Sequence, residues 1–312
     1  MVKDNEIKAT VSPFAIRPGE IKVFDGKDGY VSMNQIMHKI NIGHIVELHF
    51  SILELVNEFE FITSRQIFQM LQVKNIEIAS QDKLNIKLEQ LVKSKILSRY
   101  YFDSKDGKGI YRVYSLEKMG KYLLDSRGVE CKWQASDNAK PVAMIKKRLA
   151  GNQVIIAYLN KVKAYDSYQT KPALKAKQSN KIFKASGGKV KLTIKDKSIE
   201  FVFEVVRREP DWEVKLVEKM KMYKDFYENF VLGDSGFKSL PQLIIVCEDD
   251  NHMAEAFKQI ILNNLEISKI NLYFTTDLKQ NADTLEETLT EFIINEETQK
   301  YIAKNVKIKL LS

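Results

Sequence analysis

Five polar side chains, Lys83, Asn85, Lys87, Gln90 and Lys93, alternate with three leucines, Leu84, Leu88 and Leu91. Leucine spacings of four and three place those three on one side of a helix and the polar set on the other. Asn and Gln carry a donor beside an acceptor and can bond an adenine edge at two points, while lysines reach phosphates or guanine. Arg99, Lys105, Lys108 and Arg112 follow on both sides of a glycine-containing turn, where they can meet a nucleic-acid backbone or minor groove. A further run, Lys146-Lys147-Arg148, offers phosphate contacts of the same kind. This is recognition chemistry; it makes and breaks no covalent bond.

Other reactive residue types lack the spacing their chemistry needs. His38, His44, His49 and His252 form no HExxH, and neither GxxxxGK(S/T) nor GxGxxG occurs. Gly233-Asp234-Ser235-Gly236 matches a protease nucleophile loop in letters only, because it joins a helix to a strand. Cys131 and Cys247 are too few for a disulfide framework or a four-thiolate zinc site. The expectation is a protein without metal, cofactor or catalytic residue.

The 312 residues suffice for two domains, and 44% hydrophobic against 29% charged residues suits packed cores. No apolar run reaches bilayer length, and Met1–Glu6 begins no export signal, so a cytoplasmic chain without membrane contact is expected. The net charge is +8, but it is concentrated: Lys132–Lys197 holds sixteen basic residues against Asp137, Asp166 and Asp196. Such an excess draws polyanions by counterion release.

The elements that must position these residues follow from periodicity. Residues 1–43 carry short β-like pieces around Pro13, Pro18 and a glycine turn, giving a β-rich extension. From Ile45, the residues Leu48, Ile52, Leu55, Val56 and Phe59 form one helix face. Thr63 with Gln66 predicts a capping box for a second helix, and Ser80 an N-cap for a third. Strands over Ser98–Phe102 and Ile110–Ser115 and a helix over Leu116–Leu124 complete the unit 44–130. Three helices and a two-stranded hairpin resemble the winged helix-turn-helix plan, whose third helix meets DNA through a polar face.

Residues 131–186 read as a basic helical connector ending in a Lys/Ala/Ser-rich tether over 171–186. Beyond it, 187–312 reads as an α/β domain with a mixed sheet. It begins with a hairpin over Lys189–Lys195 and Ile199–Val206. A long helix N-capped by Asp211 follows, then a buried strand at Leu243–Cys247. Helix His252–Leu262, strand Ile270–Phe274 and helix Leu285–Ile294 complete the order. That order resembles the restriction-endonuclease-like superfamily. Its members hold a metal with Asp on one strand and (Asp/Glu)-x-Lys on the next. Here the second strand reads Glu204-Val205-Val206, with Val206 in the lysine position and Asp196 at the hairpin turn. Pro210-Asp211-Trp212-Glu213-Val214-Lys215 matches in letters, but at a helix start its two acids diverge.

The whole order resembles the replication-relaxation family of plasmid, phage and conjugative-element proteins. Glu204, Arg207, Lys219, Tyr223 and Pro241 match its pattern, and Val206 replaces its usual second acid. The resemblance implies a non-catalytic, sequence-specific DNA-binding protein acting in plasmid replication, DNA transfer or their control. The implied partners are double-stranded DNA, replication or relaxosome proteins and a second copy of the chain. Two alternatives stand beside it: a metal-dependent nuclease with Lys215 or Lys219 displaced toward Glu204, and a protein–protein adaptor.

Overall fold

A computed structural model describes residues 11–104, 107–108, 111–162, 165–194, 197–233, 236–281, 284–295 and 300–307. It is a mixed α+β protein whose described residues divide into two compact units, 16–152 and 11–15 with 153–312. The expected boundaries at 43/44, 130/131 and 186/187 do not coincide with this division. Asp196, Asp234 and Ser235 lie outside the described residues.

The 16–152 unit runs β1 (Ile21–Phe24), α1 (Met33–Asn41), α2 (Glu47–Phe59), β2 (Ile62–Thr63), α3 (Ser64–Val73), α4 (Gln81–Lys93), β3 (Leu97–Ser104), β4 (Gly107–Lys108), β5 (Val113–Leu116) and α5 (Lys118–Ser126). A 3-10 turn follows at Ala135–Ala139, and then α6 (Val142–Lys161), whose residues from Gln153 on count with the other unit. The expected caps form. Thr63 accepts from the Gln66 amide while the Gln66 side chain accepts from the Thr63 amide, at 3.2 and 3.1 Å. Ser80 accepts from the Lys83 amide and starts α4. Leu84, Leu88 and Leu91 are fully buried, and α4 packs on α3 and β3. The strands pair antiparallel in the order β1-β3-β5-β2, with β4 on β3. Residues before 44 are thus no separate extension: β1 lengthens this sheet by pairing Ile21–Phe24 with Tyr100–Asp103.

The second unit runs β6 (Tyr165–Gln169), β7 (Ala173–Ala176), β8 (Lys181–Lys184), β9 (Gly188–Ile194), β10 (Lys197–Val205), α7 (Trp212–Glu228), β11 (Gln242–Cys247), α8 (Asp250–Leu262), β12 (Leu272–Thr276), α9 (Asp277–Gln280), β13 (Leu289–Asn295) and β14 (Lys300–Val306). Seven strands form one sheet in the order β14-β13-β12-β11-β10-β9-β6. The sheet is mixed: β10, β11 and β12 run parallel and the remaining neighbours antiparallel. A bulge between Tyr165 and Ser167 interrupts β6. Leu243, Ile245 and Cys247 from β11, Val202 from β10 and Met220, Tyr223 and Tyr227 from α7 share one apolar cluster.

Three expectations fail here. Residues 171–186 are no tether: Leu174, Ala176 and Phe183 are buried, and β7 and β8 form a hairpin apart from the large sheet. Alternate apolar residues between lysines satisfy a strand period that composition alone conceals. Leu285–Ile294 is not a helix; β13 begins within it and pairs with β12 and β14. Asp211 precedes α7 in the left-handed region, at φ 58°, and its side chain makes no capping bond.

Candidate functional site

On α4 the polar face is outward. Lys83, Asn85, Gln90 and Lys93 are exposed and Lys87 is half-buried, with exposed Ile86 among them. The Asn85 side-chain oxygen accepts from Gln81 Nε2 at 3.2 Å, one turn back. Lys93 lies 3.5 Å from Glu89.

Gln90 is constrained by a residue that sequence reasoning set aside. His49 is fully buried on α2, and its Nδ1 accepts from the Val46 amide at 3.0 Å. The neutral ring therefore carries its proton on Nε2, which donates to Gln90 Oε1 at 2.9 Å. Burial, aided by the charge of Lys87, holds His49 below its ordinary pKa despite the Gln90 bond. The bond from His49 takes one of the two lone pairs of the Gln90 oxygen and fixes the orientation of the amide, leaving its N–H donors and the second lone pair for other partners. If α4 reads a DNA duplex, Gln90→Glu is expected to lose about tenfold affinity for a specific duplex, through loss of the donors and repulsion by phosphate, and His49→Phe to broaden the base preference at one position of a randomised duplex library. An unchanged preference would show that the His49 bond does not set it.

The arginines beside this face are committed within the unit. Arg99 is 16% exposed, bonds the Asp25 carbonyl at 2.8 Å and pairs with Asp25 and Glu89. Although burial works against it, Arg99 holds the Glu89 carboxyl below its ordinary pKa. Arg112 is 58% exposed and reaches Asp25 at 2.7 Å. Arg99, largely buried between Asp25 and Glu89, is therefore not free for phosphate, whereas Arg112 shares Asp25 with it and stays largely exposed. Lys105 and the side chain of Lys108 lie outside the described residues; the Lys108 backbone pairs with Asp103.

The basic run on α6 is corrected more sharply. Lys146 is 2% exposed; its Nζ donates to Glu20 Oε1 at 2.7 Å and lies 2.5 Å from Oε2. Arg148 is largely buried, with Nε 3.4 Å from Glu60 Oε2, and Lys147 is half-buried. A helix with Ile145, Leu149 and Ala150 buried brings Lys146 and Arg148 inward, where Glu20, just before β1, and Glu60, just after α2, meet them. This run is no exposed phosphate clamp.

In the second unit, Glu204, Lys219 and Tyr223 converge. Glu204 is buried on β10, with Oε1 accepting from Ser186 Oγ at 2.7 Å. Its Oε2 accepts from Tyr223 Oη at 2.9 Å and from the Ser186 amide at 3.2 Å. Burial, and then the adjacent carboxylate, push the Tyr223 phenol well above its ordinary pKa, so it stays a donor. Lys219 Nζ stands 3.9 Å from Glu204 and donates to the Lys184 carbonyl at 2.6 Å, whereas Lys215 pairs with Glu209. Arg207 joins a different cluster: it is fully buried and bonds Asp277 Oδ1 at 2.7 Å, and Ser12 donates to the same carboxyl group. Pro241 is buried at the start of β11. Val206, in the second-acid position, is buried and apolar. Among the described residues, no group of three or more His, Cys, Asp or Glu side chains is placed to hold a metal ion. No helix among them is long and apolar enough to cross a membrane.

Comparison of the chain with protein-family models, with curated proteins and with solved structures finds no significant match in any of the three.

Proposed function

We propose that the chain is a sequence-specific, non-catalytic double-stranded DNA-binding protein of a mobile genetic element. Its place is in plasmid replication, DNA transfer or their regulation, in the cytoplasm, alongside replication or relaxosome proteins. In this reading 16–152 contains a winged helix-turn-helix, and 153–312 is a restriction-endonuclease-like domain used for docking. The order helix, short strand, helix, helix, hairpin supports the first assignment, and the parallel β10-β11-β12 core with α7 and α8 supports the second. The observation that carries the function is α4 itself. A helix seated by three buried leucines and started by a Ser80 cap turns Lys83, Asn85, Gln90 and Lys93 to solvent together.

Immunoprecipitation of the native protein, with sequencing of bound DNA, would yield a site. On that site Asn85→Ala is expected to cost about 1–3 kcal/mol and to leave random duplex nearly untouched, because Asn85 carries no charge. Equal losses on both duplexes would sink major-groove readout by α4 and favour a protein-docking role for it.

One observation favours a second reading, a metal-dependent nuclease: Lys219 lies beside Glu204. In the DNA-binding reading, supercoiled plasmid stays intact in Mg²⁺ or Mn²⁺, since Ser186 and Tyr223 already occupy both Glu204 oxygens. Nicking by the wild type that Glu204→Gln abolishes would establish the nuclease instead.

A further inference from the structure

We propose that the β7–β8 hairpin of the 153–312 unit is a second nucleic-acid contact, gripping the phosphate backbone through Lys175, Lys181 and Lys184 around an apolar tooth, Ile182. This rests on the reading of the chain as a DNA-binding protein and locates a contact that α4 does not supply.

From Ser167 to Ile194 the chain holds seven lysines and no acid. Two of them are consumed locally. Lys189 lies 3.7 Å from Glu200, and Lys191 pairs with Asp166. Lys175, Lys181 and Lys184, by contrast, are exposed, and no described residue forms an ion pair with them. Strand register arranges them. Lys175 stands opposite Ile182, and Ala173 opposite Lys184. On the outer face Lys175 and Lys184 are therefore diagonal, about 7–8 Å apart, with Ile182 beside both, while Lys181, opposite Ala176, belongs to the other face and is exposed at the turn end of its strand. Ile182 is 73% exposed, the most exposed large apolar side chain of this unit among the described residues.

The backbone that presents them is held from beneath. Leu174, Ala176 and Phe183 are buried, and the Phe183 ring meets Tyr223 edge-on at 5.0 Å. At the turn, the Gln178 and Ser179 amides donate to the two Asp225 oxygens at 3.0 and 2.9 Å, and Ser179 Oγ adds a third bond. Lys219 ties the other end through the Lys184 carbonyl. The ribbon thus needs little ordering when a ligand arrives, which favours binding.

Charge and shape together select the ligand. Three ammonium groups without an ion-pair partner among the described residues, with Asp225 at the turn already engaged by Gln178 and Ser179, match a polyanion, and binding gains from released counterions. A two-stranded ribbon fits the DNA major groove, where an apolar side chain can meet a thymine methyl. An anionic membrane surface would ask for a broad apolar face, and a single isoleucine is not one.

The test uses the full chain and a fluorescent random-sequence duplex, titrated by anisotropy between about 50 and 200 mM salt. The variant Lys175→Gln/Lys181→Gln/Lys184→Gln is expected to flatten the slope of log affinity against log salt by 2 to 3, roughly 0.9 for each lost contact. Ile182→Ala should lower affinity roughly fivefold with the slope unchanged, as loss of a purely apolar contact requires. All four substitutions are at the surface, and an unaltered thermal melt confirms that folding is intact. If the wild type binds and the triple variant keeps its slope, this contact is overturned while the DNA-binding reading survives. If the wild type binds no duplex at all, both fall. A slope kept on DNA, together with loss of binding to phosphatidylserine vesicles, would overturn the proposal in favour of a membrane surface.

Discussion

Lys146→Ala is expected to destabilise the 16–152 unit by about 3–5 kcal/mol, because it leaves the Glu20 carboxylate buried without its cation. Lys146 also sits 5.4 Å from the Phe102 ring centre, so its removal takes a cation–π contact as well. The chain has two tryptophans, and Trp133 falls in this unit while Trp212 falls in the other. Urea unfolding followed by Trp133 fluorescence in a Trp212→Phe background would therefore read the effect separately. The double variant Lys146→Met/Glu20→Leu should recover most of the loss, since an apolar pair needs no desolvation of charge. Losses that simply add would show that the two side chains do not act as a pair. On the proposed DNA-binding reading, the same double variant leaves the salt dependence of binding unchanged, although Lys146 belongs to a run that reads as a phosphate clamp in sequence.

Arg207→Leu should cost the second unit a comparable amount, about 3–5 kcal/mol, read by Trp212 in a Trp133→Phe background. Arg207 supplies the counterion of Asp277, and it also donates to the Val206 carbonyl at 2.8 Å. Burial already holds the Asp277 carboxyl above its ordinary pKa, despite the opposing pull of Arg207 and Ser12. Removing the guanidinium raises that value further. A carboxyl raised in the folded state favours folding while protonated, and that contribution is lost as pH climbs through the folded value. The deficit of Arg207→Leu should thus be smallest in acid, where the carboxyl is protonated in both proteins, and widen as the pH rises through the wild-type folded value. A deficit that is flat with pH would mean that Asp277 is not its source. Arg207→Leu/Asp277→Leu should remove the pH dependence.

What was legible in the chain was local. The Thr63 and Ser80 caps and the leucine spacing of α4 depend on neighbours within one or two turns, and all appear as read. The outward side of α4 followed from the same spacing. Long-range pairing was not legible. Nothing near Lys146 in sequence announces Glu20, 126 positions away, and Asp25 meets Arg99 and Arg112 only because β1 pairs with β3. His49 was passed over as a histidine without metal-ligand spacing, although its place among Phe50, Ile52 and Leu53 marks it as buried. Its role toward Gln90 needs the packing of α2 against α4 to be seen. The 171–186 segment misled through composition. Its lysines suggest a solvated tether, whereas Leu174, Ala176 and Phe183 supply the alternate inward positions of a hairpin.

Among the described residues β14 and β6 each have one strand neighbour within the seven-stranded sheet. An open edge is a template on which a second chain can add a strand and start an aggregate. At one end Lys300 and Lys304 lie exposed along β14, so a copy approaching in register would meet like charge. At the other, the bulge at Tyr165/Ser167 breaks the straight run of donors and acceptors that a copy would need. Lysines at one margin and a bulge at the other are features that disfavour sideways growth of a sheet.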